Sequence, residues 1–246
     1  MDLIFVAVIL YIFYKMNDGP KLSFSIKKGK QLLKVSHNYI WAGLITAIYG
    51  ATDKFMLKQY MGEETVGYYS LAVSISTIWV FALSAIIESY SPTIIAQFKT
   101  NKNFYIKSNK RLYAIIFYTS MLVSLAICLI APLLIKILYG EEYLPAVSPL
   151  RVVVWYVAFA YLGVARQSWI VCEDKQKYIK YIYLGSAVMN VILNAWLIPK
   201  LGAVGAAIAS VAAEVSGILV FPLIIKPLRP NLKLLVDGIR FKGVIK

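Results

Sequence analysis

The sequence has 246 residues, of which 60% are hydrophobic, and its formal net charge is +14. A soluble domain of this length cannot bury so large an apolar fraction, because core volume grows slowly with chain length. The basic residues lie in short segments between apolar runs and form no nucleic-acid-binding motif. We therefore expect a membrane protein without a nucleic-acid partner.

Seven apolar runs follow one another along the chain, and each is a candidate membrane-spanning helix. They cover residues 3–14, 38–57, 67–95, 112–138, 150–171, 179–198 and 203–225. The connections are short and contain helix-ending residues such as Gly140, Pro145 and Gly202. The pattern predicts an all-α, polytopic membrane helix bundle.

Basic residues are concentrated in alternate connections between these runs, where 20 of the 26 Lys and Arg residues lie. The four basic segments are residues 15–36, 99–111, 172–180 and 226–246. The intervening connections carry the acidic pairs Glu63–Glu64 and Glu141–Glu142. Because cytoplasmic loops are enriched in Lys and Arg, we expect a multi-pass protein of the cell inner membrane with its N-terminus outside and its C-terminus in the cytoplasm.

Three stretches carry motifs of polar, small and turn-forming residues. In chain order they are Tyr49-Gly-Ala-Thr-Asp-Lys-Phe-Met-Leu57 with Gly67-Tyr-Tyr-Ser-Leu-Ala72, then Leu138-Tyr-Gly-Glu-Glu-Tyr143 with Pro145 and Pro149, then Asn190-Val-Ile-Leu-Asn194-Ala-Trp-Leu-Ile-Pro199-Lys-Leu-Gly202-Ala-Val-Gly205-Ala-Ala-Ile-Ala209. Together these stretches resemble the polysaccharide-export, or O-antigen, flippase family. That family lies within the multidrug/oligosaccharidyl-lipid/polysaccharide exporter superfamily.

The resemblance implies one half of a two-lobe, 12-helix transporter. Residues 38–225 would be the six-helix C-terminal lobe, and residues 1–15 the end of the last helix of the N-terminal lobe. Residues 16–37 would be a basic cytoplasmic inter-lobe linker, and residues 226–246 a basic cytoplasmic tail. Because alternating access requires one repeat to rock against another, we expect the chain to be a fragment or to need a separate N-terminal lobe for transport.

The same resemblance implies a flippase that moves polyprenyl-diphosphate-linked oligosaccharide across the bacterial inner membrane. The product would be a surface polysaccharide such as the O-antigen of lipopolysaccharide, and Na⁺ or H⁺ would drive alternating access. Expected partners are membrane lipids, the lipid-linked oligosaccharide, the missing N-terminal lobe and polysaccharide assembly proteins. The alternatives are a multidrug or toxic-compound exporter of the same superfamily, a membrane polysaccharide polymerase or ligase, and a structural membrane subunit.

Polar side chains inside the apolar runs are candidate functional residues, because a membrane interior penalises them. Asp53, Asn194 and Ser210 all fall in the outer halves of their predicted helices, and Asn190 shares a helix face with Asn194. Such an oxygen-rich group suits a monovalent cation or a proton, so these four residues are candidates for ion coupling. The alternatives are that the Asn residues only join helices by hydrogen bonds, and that Asp53 pairs with Lys54 or a headgroup.

Cationic side chains are candidates for binding the substrate diphosphate, because Arg binds phosphate through two parallel hydrogen bonds. Arg166 is the first choice, with Lys54 and Arg151 near the outer mouth. The alternatives for Arg166 are extension to the headgroups and pairing with Glu88. Glu88 and Glu214 are further candidates for the substrate path. Glu214, at the middle of its run, lines the cavity or pairs with a neighbouring helix.

The remaining residue types predict no catalytic site, metal site or cofactor. Cys128, Cys172 and His37 do not have the spacing of a metal site or of a catalytic constellation, so we expect a transporter and not an enzyme. Tyr68 and Tyr69 lie near the start of an apolar run, where aromatic residues anchor helices at the membrane interface. Both are predicted to be interfacial anchors, and the alternative is that such aromatic side chains stack on sugars.

Reporter fusions test the predicted orientation. Alkaline phosphatase, which is active only outside the cytoplasm, should be active when fused after Glu64 or Glu142 and inactive after Lys175 or Lys246. Green fluorescent protein at the same positions should give the opposite pattern and serves as the matched control. An active phosphatase after Lys246 would contradict the orientation.

Overall fold

The computed structural model describes residues 2–17 and 25–243, and this part of the chain is built from helices without β-strands. The chain divides into two compact units, Met1–His37 and Asn38–Lys246, which are described separately below. Residues 18–24 of the predicted linker and residues 244–246 of the predicted tail lie outside the described residues. The division into lobes, linker and tail stays a prediction.

The first unit contains helix α1 (Asp2–Asn17) and the beginning of helix α2 (Ile26–Met61). The described apolar part of α1, Val6–Lys15, is shorter than a membrane span. Residues 26–37, which we expected to form a linker, are helical and continuous with the rest of α2.

The second unit continues with the rest of α2 and a series of helices that are frequently broken. They are α3 (Glu63–Thr77), α4 (Val80–Thr100), α5 (Lys102–Tyr139), α6 (Val147–Val153), α7 (Tyr156–Ala165), α8 (Gln167–Cys172), α9 (Ile179–Val215), α10 (Phe221–Ile224) and α11 (Arg229–Ile239). A 3₁₀ turn, Glu141–Ala146, precedes α6, and a π-helical turn, Ser216–Val220, joins α9 to α10. The helices α3 and α4 meet at a bend of 41°, and the segments Glu141–Val153 and Tyr156–Cys172 meet at a bend of 45°.

Helix α9 reverses direction at Gly202, where the backbone has φ 55° and ψ −132°. A Cβ atom on Gly205 would lie 2.5 Å from the carbonyl oxygen of Leu197, and one on Gly217 would lie 2.7 Å from Ser186 Oγ. Residue 205 thus lies beside residue 197, and residue 217 lies beside residue 186, at increasing sequence distance on either side of Gly202. Residues 179–201 and 203–215 are therefore two antiparallel arms. Gly202 permits the turn because a left-handed backbone carries little steric cost without a Cβ atom.

By length and apolarity, the described residues contain two helices able to cross a membrane, or four if each bent pair is one span. The seven predicted runs exceed this number. The last two runs lie on Gln176–Ile224, one helical segment by length and apolarity that reverses at Gly202 into two antiparallel arms, so each arm corresponds to one run. The described apolar part of helix α1 is too short, and α2 is not among the segments that are long and apolar enough.

Exposed side chains on α5 identify the surface that faces lipid. Leu122, Leu129 and Ile137 are 69%, 70% and 71% exposed, whereas Leu112, Ile116 and Ile135 of the same helix are fully buried. A soluble protein rarely exposes so many large apolar side chains on one helix. The hydrocarbon core of a bilayer is the solvent in which such a surface is stable.

Buried apolar side chains form two clusters in the second unit. The first cluster includes Leu57, Tyr69, Ile135, Leu150 and Ile198. The second includes Leu83, Tyr113, Leu162, Trp169, Ile182 and Leu235. Close packing in these clusters fixes the positions of the helices that carry the polar candidate residues.

The predicted basic tail contains a packed helix, α11, which was not predicted from the sequence. Asn231 donates a 2.6 Å hydrogen bond to the Tyr113 hydroxyl, and Leu235 is buried against the second cluster. Lys110 forms a 2.9 Å ion pair with Asp237, and this hydrogen bond holds the pKa of the Asp237 carboxyl below its ordinary value. Burial at residues 228, 231, 235 and 238 follows the period of an amphipathic helix.

A substitution at Gly205 tests the antiparallel arms. We expect Gly205→Ala to lower the free energy of unfolding in detergent by about 1–3 kcal/mol, because the added methyl group must displace the Leu197 carbonyl. The matched control is Gly67→Ala, since a Cβ at this exposed helical position meets nothing within 4 Å. This control should be neutral or slightly stabilising. Equal effects of the two substitutions would contradict the close approach.

Candidate functional site

Asp53 lies on the last part of α2 with only 6% of its surface exposed, and both carboxylate oxygens are hydrogen-bonded. Asn194 Nδ2 donates to Oδ1 at 2.6 Å. The Ser210 and Tyr69 hydroxyls donate to Oδ2 at 2.5 and 2.9 Å. The carboxylate therefore joins four helical segments, because its partners come from α3 and from both arms of α9. A buried carboxylate requires such bonds, since desolvation without them is costly.

Asn190 and Asn194 extend this group along the first arm of α9. Both amides are fully buried, and Asn194 Nδ2 also donates to Asn190 Oδ1 at 2.9 Å. Two polar atoms, Asn190 Nδ2 and Asn194 Oδ1, are buried without a hydrogen-bond partner among the described residues. Such unpaired buried polar groups are rare in folded proteins. We call Asp53, Tyr69, Asn190, Asn194 and Ser210 the Asp53 cluster.

Tyr69 is the member of the Asp53 cluster that sequence reasoning missed. We expected an interfacial anchor, but Tyr69 is buried. Its hydroxyl donates a hydrogen bond to Asp53 and lies 3.2 Å from Ser210 Oγ. Its neighbour Tyr68 points elsewhere and donates to the exposed Glu64 at 2.6 Å. Tyr69 shares the buried face of α3 with Ala72 and Ser76, and this tertiary packing separates it from Tyr68.

The chemistry of the Asp53 cluster suits a proton or a monovalent cation. It contains a single carboxylate, and the described residues hold no group of three or more His, Cys, Asp or Glu that could bind a metal ion. Each hydroxyl that donates to the carboxylate can rotate to become an acceptor, and Asn194 Oδ1 is an acceptor without a partner. After such a rotation the hydroxyl oxygens could bind a cation, or could accept a hydrogen bond from a protonated Asp53.

A cavity of about 190 Å³ adjoins the Asp53 cluster. Its lining includes Asp53, Tyr69 and Ser210 of the cluster, together with Lys54 and Tyr156. Lys54 is exposed, and within the described part of the chain no ion pair joins it to Asp53. The hypothesis that Asp53 pairs only with Lys54 is therefore wrong for this structure.

Polar residues continue from the Asp53 cluster along the seam between the two arms of α9. They are Ser210 and Glu214 on the second arm, and Asn194, Asn190 and Ser186 on the first arm, with the backbone carbonyl of Gly217 on the π-helical extension of the second arm. The spacing of three or four residues places each set on one helix face. Seven residues of helix rise by about 10 Å, so this polar seam runs that far from Ser210 to Gly217.

Arg166 contacts the far end of the polar seam. It is 5% exposed, and its guanidinium donates to the Gly217 carbonyl at 3.2 Å while its Nε has no partner in the described part. The carbonyl lies in the π-helical turn, and such turns often occur at functional sites. The side chain is thus buried between helices and does not extend to the surface. No described carboxylate forms an ion pair with it, including the exposed Glu88.

The structure therefore brings some predicted residues together and separates others. Asp53, Asn190, Asn194 and Ser210 form one hydrogen-bonded cluster, with Lys54 on the adjoining cavity. Arg166 lies at the other end of the seam, and Glu214 is half-buried between them. Arg151 is exposed and donates to the Cys128 carbonyl at 3.3 Å, away from the cluster. The roles of all these residues in ion or substrate binding stay predictions.

Comparisons with known proteins agree with this architecture. A family model described as polysaccharide biosynthesis protein matches residues 1–148. A solved structure entitled "Lipid II flippase MurJ, inward closed conformation" superposes with a TM-score of 0.63 at 16% sequence identity, covering 93% of this chain and 50% of that one. No curated protein matches the sequence. At this identity the superposition establishes the fold, and the predicted family and all-α membrane bundle are both confirmed.

Paired tyrosine substitutions test the Asp53 cluster. Tyr69→Phe should lower the free energy of unfolding by about 1.5–3 kcal/mol, because it removes a hydrogen bond to a buried carboxylate. Tyr68→Phe removes the equivalent bond to the exposed Glu64 and should have little effect. Both can be measured by denaturant titration in detergent. A result in which Tyr68→Phe is the more destabilising substitution would refute the placement of Tyr69.

Proposed function

The chain belongs to the polysaccharide biosynthesis protein family, and on that premise we propose that it is one lobe of a flippase for polyprenyl-diphosphate-linked oligosaccharide. The flippase would move this precursor across the bacterial inner membrane for synthesis of a surface polysaccharide, such as O-antigen. Na⁺ or H⁺ bound at the Asp53 cluster would drive the movement. The observation that carries this proposal is the buried Asp53 carboxylate, which is bonded to three helical segments beside a cavity.

The Asp53 cluster supports coupling because its hydrogen bonds depend on the charge of one carboxylate. The Asp53 carboxylate accepts three hydrogen bonds that hold α2, α3 and the two arms of α9 together. A proton or a cation on the carboxylate would replace one or more of these bonds. Occupancy would then change how tightly the four segments are joined, and an ion can shift a conformational equilibrium by its difference in affinity for the two states.

Arg166 supports an anionic substrate. Its guanidinium is permanently charged, yet it is buried with one donor, Nε, unused and no described carboxylate paired with it. The substrate diphosphate would satisfy that donor and balance the charge. The polar seam, with Glu214 between Arg166 and the Asp53 cluster, would connect the substrate end to the ion end.

The partner lobe is also part of the proposal. The chain spans about half the length of the solved flippase that it resembles. Alternating access rocks two repeats against each other, so we propose that a second lobe, in the same longer polypeptide or in another chain, completes the substrate path. Polysaccharide assembly proteins would take the product on the outer face.

Deletion of the gene in its own bacterium separates this function from its alternatives. A flippase defect should leave lipid-linked oligosaccharide accumulated in the membrane and remove the surface polysaccharide, measured by mass spectrometry of lipid extracts. Loss of a polymerase would leave single repeat units on the cell surface. Loss of a toxic-compound exporter would change drug sensitivity without precursor accumulation, and either of these results would overturn the proposal.

Substitution of Asp53 tests ion coupling in the same strain. Asp53→Asn keeps the side-chain volume and removes the charge, so we expect precursor to accumulate as in the deletion strain while the protein level stays normal. Glu64→Gln is the matched control, since it neutralises an exposed carboxylate that also accepts a tyrosine hydroxyl. Wild-type polysaccharide synthesis by Asp53→Asn would exclude this carboxylate from coupling.

A further inference from the structure

A second cavity, of about 660 Å³, lies where the beginning of α5, the loop after α8 and helix α11 meet. Its charged lining consists of Lys102, Lys110, Lys175, Lys233, Glu173 and Asp237. We propose that this cavity binds a phosphate group, carried by an anionic lipid of the cytoplasmic leaflet or by a soluble phosphorylated compound. The proposal does not depend on the flippase function, because no residue of the Asp53 cluster and no part of Arg166 lines this cavity.

The positive charge of the cavity is only partly balanced by the protein. Lys110 is paired with Asp237 at 2.9 Å, and Glu173 accepts a 3.3 Å hydrogen bond from the Tyr105 hydroxyl. The other three ammonium groups belong to Lys102, Lys175 and Lys233, and none of them has an ion pair or hydrogen bond within the described residues. Three like charges on one cavity repel one another, and an anion between them would relieve this repulsion.

The uncharged lining fits an anion that is attached to an apolar group. Trp169 and Tyr105 are 2% and 1% exposed and are held in place by close packing. Pro227, Pro230 and Leu234 add apolar surface on the side of α11. A volume in the range of small-molecule sites, with charged groups converging over apolar walls, suits a headgroup together with the beginning of its acyl chains.

The position of the cavity favours a lipid as the source of the phosphate. Its three forming elements come from residues 99–111, 172–180 and 226–246, the basic segments that the charge pattern assigns to the cytoplasmic side. Basic pockets at this level of a helix bundle are typical binding sites for anionic headgroups. Helix α11, packed on α5 by Leu235 and by the Lys110–Asp237 pair, holds Lys233 at the cavity edge.

A lipid titration tests the site. The melting temperature of the purified chain in neutral detergent is measured against added phosphatidylglycerol, with phosphatidylcholine as the neutral comparison. Phosphatidylglycerol should raise the melting temperature of the wild type, and Lys175→Gln/Lys233→Gln should raise the half-maximal lipid concentration by about tenfold or more. Lys175→Arg/Lys233→Arg keeps the charge and should titrate close to the wild type, which separates loss of binding from loss of fold.

The matched control is Lys177→Gln/Lys180→Gln, which removes the same charge from the neighbouring segment without touching the cavity. It should titrate as the wild type does. Inorganic phosphate added without lipid distinguishes the two sources, because protection by phosphate alone identifies a soluble phosphorylated ligand and protection by phosphatidylglycerol alone identifies a lipid. Equal losses in the two Gln pairs, or no protection of the wild type by either ligand, would overturn the proposal.

Discussion

The hydrogen bonds that one buried carboxylate requires determine how the helices around it are arranged. Asp53 is buried in an apolar bundle, and Asn194, Ser210 and Tyr69 donate the hydrogen bonds that compensate its carboxylate for the loss of water. Asn194 and Ser210 are 16 residues apart on α9, about 24 Å along a straight helix, yet both reach the same carboxylate. The reversal at Gly202 is therefore a condition of the cluster, and the close approach at Gly205 keeps the two arms together.

The polar seam extends the buried polar groups beyond the Asp53 cluster. Between the two arms, a stripe of amide, hydroxyl and carboxyl groups runs from Asp53 to the guanidinium of Arg166. In a membrane protein such groups face the bundle interior because lipid cannot hydrogen-bond to them, while large apolar residues such as Leu129 face outward. In the proposed function, the Asp53 carboxylate at one end of the seam and the Arg166 guanidinium at the other link ion binding to anionic substrate binding.

Depth and periodicity were sufficient to predict much of the candidate site from the sequence. Asp53, Asn194 and Ser210 are polar residues in the outer halves of apolar runs, and Asn190 shares a helix face with Asn194. The structure joins all four by hydrogen bonds. Tyr69 was missed because interfacial tyrosines have the same local pattern, and only tertiary packing distinguishes it from Tyr68. Helix α11 was not predicted because the helix is short and rich in charged residues.

Infrared difference spectroscopy on the reconstituted chain tests most directly whether Asp53 binds the coupling ion. Exchange of Na⁺ for K⁺, or a change of pH at constant salt, should produce a carboxylate difference band in the wild type that is absent from Asp53→Asn and present in Glu64→Gln. A band that responds to Na⁺ would identify a cation site, and one that moves to the protonated carboxyl region would identify a proton site. An unchanged difference spectrum in Asp53→Asn would contradict the account.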